Sequence, residues 1–159
     1  MQVAGIVRDS IVDGIGVRDV VFVQGCKHHC VGCHNPNTWN PKGGQTTTVC
    51  ELLEALADSS NDITISGGEP LDQLTELYEF IRVSNEYHGK KVWLFTGYQY
   101  EEVPLRIWRR LAKFVDVVID GKFVEELKDP ALRFRGSSNQ RVIDLPKSVE
   151  AGMVILWEE

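Results

Sequence analysis

The chain is 159 residues long, with 43% hydrophobic and 25% charged residues, the composition of an ordinary globular protein with a buried core. Its formal net charge of −6 argues against a general nucleic-acid or anionic-membrane binder, because both need a basic surface. No apolar run is long enough to span a bilayer, and the first residues lack the basic start and apolar stretch of a secretory signal. We therefore expect a single domain, 1–159, in the cytoplasm, where cysteines serve metals or redox chemistry more often than disulfides.

The first half of the chain alternates between predicted strands and predicted helices. Residues 20–23 form a β-branched and aromatic run, which is typical of a strand buried on both faces. Residues 46–57 predict a helix, because a capping box precedes apolar residues that share one face. A second strand is predicted at residues 62–66, and Asp72 is predicted to cap the helix that follows it.

The second half continues the same alternation. Residues 91–95 and 115–119 predict two further buried strands, separated by a helix that begins near Pro104. Weaker strand candidates lie at residues 141–145 and 153–157. Strands that alternate with helices of this length indicate a mainly parallel sheet. Since a complete eightfold barrel takes about 250 residues, we expect an α/β fold with a partial, open (β/α) barrel. A flat doubly wound sheet is the alternative.

Candidate functional residues follow each of the four stronger predicted strands. In chain order, they are the cysteine loop Cys26–Cys33, Gly67–Glu69, Thr96–Gly97 and Asp120–Lys122. The carboxyl ends of parallel strands meet at one edge of a sheet, which is where α/β folds bind their ligands. The sequence therefore predicts one binding site that these four segments share.

Three cysteines in the first of these segments have the spacing Cys-x3-Cys-x2-Cys. Cys26, Cys30 and Cys33 can hold three corners of a cubane iron–sulfur cluster, whose fourth iron is then open to a small molecule. The alternative is a structural zinc ion whose fourth ligand is one of the loop histidines, His28, His29 or His34. We favour iron–sulfur, because zinc sites usually pair two short-spaced ligand couples across a longer gap, and no second couple exists here.

Two glycines and a carboxylate occupy the turn after the second predicted strand. Gly67 and Gly68 let a backbone approach a ligand closely, and Glu69 offers an acceptor for an ammonium group. In isolation, an ordinary strand-to-helix turn is the simpler interpretation. Together with the cysteine loop, the binding role is favoured.

Two other places carry polar groups without an assigned role. Arg18, just before the first predicted strand, is typical of a solvated charge. Residues 135–141 are dense in hydrogen-bonding groups, and loop chemistry explains their composition but not their density.

Together, these motifs resemble those of the radical S-adenosylmethionine enzymes, whose signature is Cys-x3-Cys-x2-Cys with a Gly-Gly-Glu turn after the next strand. The resemblance extends over residues 10–145 and includes the segments 13–18, 93–98 and 118–123. Within these enzymes, the chain is similar to the activases of glycyl radical enzymes. Gly32 and the segment 135–140 favour those that act on anaerobic ribonucleoside-triphosphate reductase. Activases of pyruvate formate-lyase, or radical enzymes that act on small molecules, are the alternatives.

The resemblance implies two cofactors and the residues that bind them. Cys26, Cys30 and Cys33 would hold a [4Fe–4S] cluster, and the amino and carboxylate groups of S-adenosylmethionine would chelate its open iron. The residues implied to contact S-adenosylmethionine are Gly67, Gly68 and Glu69 at its amino group, Thr96 and Gly97 near its ribose or carboxylate, and Asp120 and Lys122 on the rim.

The implied reaction is the reductive cleavage of S-adenosylmethionine to methionine and a 5′-deoxyadenosyl radical. That radical would take a hydrogen atom from a glycine of the reductase and leave a glycyl radical there. The implied partners are therefore the large subunit of anaerobic ribonucleoside-triphosphate reductase and an electron donor such as flavodoxin.

Overall fold

The computed structural model describes all residues, 1–159, and contains one mixed sheet with helices packed against it. The strands are β1 (Gln2–Ser10), β2 (Arg18–Val23), β3 (Gln45–Thr46), β4 (Asp62–Gly67), β5 (Val92–Phe95), β6 (Val117–Asp120) and β7 (Arg141–Asp144). The α-helices are α1 (Val49–Ala55), α2 (Leu74–His88), α3 (Leu105–Leu111) and α4 (Leu145–Ala151). Short 3-10 helices lie at Pro36–Thr38, Pro70–Gln73, Tyr100–Glu102 and Glu125–Leu127. None of these helices combines the length and the apolar character needed to cross a membrane.

The seven strands of the sheet have the order β3-β1-β2-β4-β5-β6-β7. The four central strands, β2, β4, β5 and β6, run parallel and lie side by side in chain order. The other three strands are antiparallel to their neighbours. Because the outermost strands β3 and β7 do not pair, the sheet is open, and the prediction of a partial α/β barrel is confirmed. The doubly wound alternative is wrong, since the parallel strands never reverse their order as that topology requires.

Side chains on the central strands alternate between two apolar clusters. On the helix side, residues such as Val21 and Leu94 belong to a core cluster of 19 buried residues. On the opposite, inner side, Trp93 packs with Val117 and Ile119 in a second, smaller cluster. The alternation decides which polar side chains of a strand can reach a site on the inner side.

The C-terminal segment covers part of that inner side. The rings of Trp157 and Trp93 pack edge to face with their centroids 5.2 Å apart, and Phe134 lies 5.0 Å from Trp93 in the same way. The Trp157 amide donates to the Val142 carbonyl oxygen over 2.9 Å. The segment is anchored to β7 and covers the part of the inner side around Trp93.

The predicted elements and the observed ones agree for the central strands and differ towards both ends of the chain. The predicted helix 46–57 is confirmed as the shorter α1, which begins at the Thr48–Glu51 capping box. The expected strand at 153–157 is wrong, because only one isolated bridge joins that segment to β7. Strand β1 and helix α4 have no counterpart among the predicted elements.

Asp72 does not cap α2, so that prediction is wrong. The residue lies inside the 3-10 helix Pro70–Gln73, and the N-cap position of α2 belongs to Gln73, whose side chain makes no capping bond. The Asp72 carboxylate instead accepts a hydrogen bond from the Tyr98 hydroxyl over 2.8 Å and lies 3.2 Å from the Lys27 ammonium. It links the cysteine loop to the segment after β5.

Arg18 is fully buried, so its interpretation as a solvated charge is also wrong. Its guanidinium donates to the Ile63 carbonyl oxygen over 2.6 Å and to the Thr64 hydroxyl over 2.7 Å. The same group stands 5.3 Å from the ring centroid of Trp93. Burial lowers the pKa of Arg18, and the negative charge of Asp62 partly offsets this. Arg18 fixes the beginnings of β2 and β4 from the inner side of the sheet.

Candidate active site

A cavity of about 360 Å³ lies where the four parallel strands end. Its lining includes residues from every segment that the sequence placed at this edge: Cys26, Cys30, Cys33, Gly67, Gly68, Thr96, Gly97 and Lys122. Of the predicted site residues, Glu69 and Asp120 are absent from the lining. The structure thus gathers most of the predicted residues around one space and sets two of them apart.

The cysteine loop follows β2 and is shaped by its own backbone. The Cys26 amide donates to the Trp39 carbonyl oxygen, and the Cys33 amide donates to the Cys30 carbonyl oxygen, both over 3.1 Å. All three thiols are half-buried. Burial raises the pKa of the Cys26 thiol and the charge of Glu69 adds to this, while hydrogen bonds from the backbone amides of His28 and His29 oppose it. A metal that binds the thiolate would remove this penalty, because metal ligands are deprotonated.

The arrangement of side chains fits a cluster better than a single zinc ion. No three His, Cys, Asp or Glu side chains are grouped so that they could hold one metal ion. Of the loop histidines, His28 bonds Glu69 through Nε2, while the rings of His29 and His34 pack against Trp39 and Phe123, with the His29 and Trp39 centroids 4.6 Å apart. Cys26, Cys30 and Cys33 all line one cavity, which suits a multi-iron cluster, whose irons lie at separate corners.

Gly67 and Gly68 bring two backbones into contact beside the cavity. A Cβ atom on Gly67 would lie 2.7 Å from the Val23 amide nitrogen, and one on Gly68 would collide with the Gly25 carbonyl group. The Gly68 amide donates to the Val23 carbonyl oxygen over 2.8 Å. The glycines are therefore required for the turn after β4 to lie directly against the start of the cysteine loop.

Glu69 is fully buried and its carboxylate accepts four hydrogen bonds. One oxygen accepts from the Thr96 hydroxyl over 2.8 Å and from the Leu71 amide over 3.0 Å. The other oxygen lies 2.8 Å from the Gly97 amide nitrogen and 2.8 Å from His28 Nε2. Glu69 therefore joins the cysteine loop, its own turn and the segment after β5. Its role as an ammonium acceptor stays a prediction.

His28 separates Glu69 from the cavity. Its imidazole lines the cavity, while its Nε2 atom bonds the carboxylate behind it. A Cβ atom on Gly97 would lie 2.5 Å from this ring, so only glycine leaves room for it. His28 and Gly97 thus form a matched pair that the sequence did not indicate as such.

Asp120 has a structural role that differs from the one predicted. Its carboxylate accepts from the Tyr100 amide over 2.7 Å and from Arg141 Nη2 over 2.5 Å. Arg141 also binds Glu101 with two hydrogen bonds, and these lower the pKa of Glu101. The Asp120 side chain lies on the same face of β6 as that of Val118, which belongs to the helix-side core. The Asp120 carboxylate therefore points away from the cavity. The expected contact of Asp120 with a cofactor has no support in this geometry, whereas Lys122 does line the cavity.

Several lining residues escaped the sequence-based assignment of the site: Phe22, Asn35, Phe95 and Phe123. Phe22 and Phe95 lie on the inner face near the ends of β2 and β5. A count of alternate residues back from the strand ends could have found them. Asn35 and Phe123 stand one or two positions beyond predicted site residues and carry no signal of their own.

The chain matches a family model described as a 4Fe-4S single cluster domain over residues 12–143. It is also similar to several anaerobic ribonucleoside-triphosphate reductase-activating proteins. The relative from Salmonella typhi is 39% identical over 143 residues, which cover 84% of this chain and 92% of the relative. The relative from Escherichia coli (strain K12) is 38% identical over 142 residues, with the same coverage. The relative from Enterobacteria phage T4 is 39% identical over 142 residues, which cover 84% of this chain and 87% of the relative.

This chain belongs to the family of anaerobic ribonucleoside-triphosphate reductase-activating proteins. Membership confirms the expected class, a radical S-adenosylmethionine activating enzyme, and the two expected cofactors, a 4Fe–4S cluster and S-adenosylmethionine. Within this activating protein, the roles of individual residues depend on the geometry of the cavity.

Proposed function

We propose that this activating protein cleaves S-adenosylmethionine reductively in the cavity at the strand ends and generates a glycyl radical on anaerobic ribonucleoside-triphosphate reductase. The observation that carries the proposal is the convergence of three cysteines, two glycines and a lysine on one cavity: Cys26, Cys30, Cys33, Gly67, Gly68 and Lys122. All seven strands belong to one sheet, which supports a single radical S-adenosylmethionine domain over residues 1–159.

Cys26, Cys30 and Cys33 would hold the cluster as thiolates. When bound, the cluster would supply the electron for the reductive cleavage of S-adenosylmethionine to methionine and the 5′-deoxyadenosyl radical. The chain's own residues would bind and orient S-adenosylmethionine. The Gly67–Gly68 backbone forms a wall without side chains, which a ligand can approach closely. Lys122 places a positive charge on the rim, where a carboxylate would be attracted.

Glu69 would act from behind His28, whose imidazole lies between the carboxylate and the cavity. Its hydrogen bonds to Thr96 and Gly97 fix the segment after β5, which lines the cavity. To accept the amino group of S-adenosylmethionine directly, it would have to exchange the His28 imidazole for the ammonium. Both groups are hydrogen-bond donors to the same oxygen, so this exchange preserves the bonding of the buried carboxylate.

The partner would be the large subunit of the reductase, since the hydrogen atom comes from a glycine of that protein. An open sheet suits this task, because the backbone of another protein must reach the cavity and a closed barrel would obstruct it. An electron donor such as flavodoxin would reduce the cluster. We assign the reaction to the cytoplasm, where thiols stay reduced.

The test is anaerobic reconstitution with iron and sulfide, followed by reduction in the presence of S-adenosylmethionine. We expect 5′-deoxyadenosine, and a glycyl radical signal by electron paramagnetic resonance when the reductase is added. Cys30→Ser should abolish both products. Cys50→Ser is the matched control, because Cys50 is exposed and lies outside the cavity, and it should retain both. Absence of 5′-deoxyadenosine from the wild-type reaction would overturn the proposal.

A further inference from the structure

One wall of the cavity is an irregular segment, Gly121–Phe123, between the end of β6 and the next 3-10 helix. All three of its residues line the cavity. Gly121 has a positive φ of 94°, which turns the chain sharply as it leaves the sheet. The wall belongs to no strand or helix; the Gly121 amide donates to the Tyr98 carbonyl oxygen over 3.1 Å. Other bonds must fix the position of the carbonyl groups of the wall.

Side chains of a second segment, residues 137–140, hold the backbone of this wall. Asn139 Nδ2 donates to the Lys122 carbonyl oxygen over 2.8 Å, and Gln140 Nε2 donates to the Gly121 carbonyl oxygen over 2.9 Å. Just beyond the wall, the Val124 amide donates to the Ser137 hydroxyl over 3.1 Å. We call the side chains of Ser137, Asn139 and Gln140 the brace.

The brace is itself rigidly built. The side-chain oxygen Oε1 of Gln140 accepts from the backbone amides of Gly136 and Ser137 over 2.9 and 3.2 Å. The backbone amide of Gln140 donates to the Ser137 carbonyl oxygen over 3.1 Å. Ser137 is fully buried. The Arg135 guanidinium bonds the Gln140 carbonyl oxygen. These bonds explain why polar groups are so dense in residues 135–141.

The wall meets the cysteine loop through Phe123. Its ring centroid lies 5.0 Å from that of His34, directly after the third cysteine. A Cβ atom on Gly32 would lie 3.2 Å from the Phe123 ring, and one on Gly136 would lie 3.0 Å from it. A shift of the wall would therefore alter the space beside Cys33.

We propose that Asn139 and Gln140 are positioning residues, which set the width of the S-adenosylmethionine site by holding the Gly121–Phe123 wall against the cysteine loop. The proposal rests on the proposed function of the cavity. Asn139 does not line the cavity, so it acts only through the Lys122 carbonyl group. Gln140 lines the cavity and holds Gly121 at the same time.

Asn139→Asp and Gln140→Leu test the brace, with Ser138→Ala as the matched control. Asn139→Asp removes the donor and sets a carboxylate against the Lys122 carbonyl group, whereas the exposed Ser138 side chain makes no hydrogen bond. Amide hydrogen exchange of the protein without cofactors should be faster at residues 121–124 in both variants, and unchanged in β4 and β5. In the cluster-loaded protein, both variants should bind S-adenosylmethionine about tenfold more weakly, with wild-type iron content.

Two results would overturn the proposal. One is an affinity for S-adenosylmethionine in Asn139→Asp and Gln140→Leu equal to that of Ser138→Ala. The other is a loss of iron in proportion to the loss of affinity, which would show a general structural role. Failure of the proposed function is recognised separately, because the wild-type protein would then bind no S-adenosylmethionine at all.

Discussion

At the scale of single residues, the buried carboxylate of Glu69 joins parts of the chain that are far apart in sequence. It receives donors from the cysteine loop, from its own turn and from the segment after β5. Buried charges are tolerated only when hydrogen bonds satisfy them, and here every contact is a donor. The relative positions of three cavity walls thus depend on one side chain.

Glu69→Gln should disturb this arrangement without removing a cysteine. The amide group replaces one acceptor oxygen with a donor, so two buried donors lose their partner. We expect the free energy of unfolding to fall by about 3 kcal/mol, as measured by urea denaturation, and the cluster-loaded variant to bind S-adenosylmethionine more weakly at unchanged iron content. Glu79→Gln on the surface of α2 is the control. Equal stability of the two variants would contradict the assigned network.

Some of these residue roles could be predicted from the sequence, and others could not. The spacing of the cysteines and the glycines of the turn correctly located the site, because parallel strands end at one edge of the sheet. The role of Asp120 was missed because its direction depends on the alternation within β6, which sets it beside Val118. The burial of Arg18 depends on the Ile63 carbonyl group and the Thr64 hydroxyl of β4, far along the chain, which no local pattern reveals.

At the scale of elements, β6 and β7 are joined by an ion pair as well as by their ladder. Asp120 and Arg141 are directly opposite each other in the antiparallel register, and Arg141 extends the contact to Glu101. The edge strand β7 is thereby fixed to the last parallel strand. This matters for the cavity, because Gln140 of the brace immediately precedes β7.

The contact between Arg141 and Glu101 should make stability depend on pH. The Arg141 hydrogen bonds lower the pKa of Glu101 in the folded state. The contact therefore stabilises the folded state at neutral pH, and this contribution is lost as the pH falls below about 4. We expect Glu101→Gln to lower the free energy of unfolding by under about 1 kcal/mol near neutral pH, because the pair is exposed. The decrease should be smaller in acid. Urea unfolding at several pH values measures this, and a cost that stays constant would contradict it.

The elements that the sequence did not indicate are short or irregular. Strand β1 has two breaks in its register with β2, so its buried and exposed residues do not alternate. Helix α4 spans seven residues, about two turns, which is too short for a clear apolar period. Its start is nonetheless marked by Asp144, which caps it, and by Pro146 in the first turn.

At the scale of the whole molecule, an open sheet leaves an apolar inner face that must be covered. The Trp93 cluster on that face is covered by the C-terminal segment, whose Trp157 packs against Trp93 and Phe134. The cavity occupies the other end of the same face. The C-terminal residues thus cover the inner face at the end where no cofactor is expected, while the sheet itself stays open.

Trp157→Ala should therefore destabilise the whole protein while leaving the cavity residues intact. We expect a loss of about 2 kcal/mol, less than for a fully buried aromatic residue, because Trp157 is only half-buried. Leu156→Ala is the control, since Leu156 is exposed and points away from the cluster. Urea unfolding compares the two variants. A larger loss for Leu156→Ala would refute the covering role of Trp157.

The order of the parallel strands along the chain has a consequence for how the protein is made. Each of β2, β4, β5 and β6 adds its part of the cavity in turn, and the brace is added last. A growing chain therefore carries the cysteines well before the residues that hold the opposite wall exist, since domains are synthesised from the N-terminus. We therefore expect the site to be complete only once synthesis has passed Gln140.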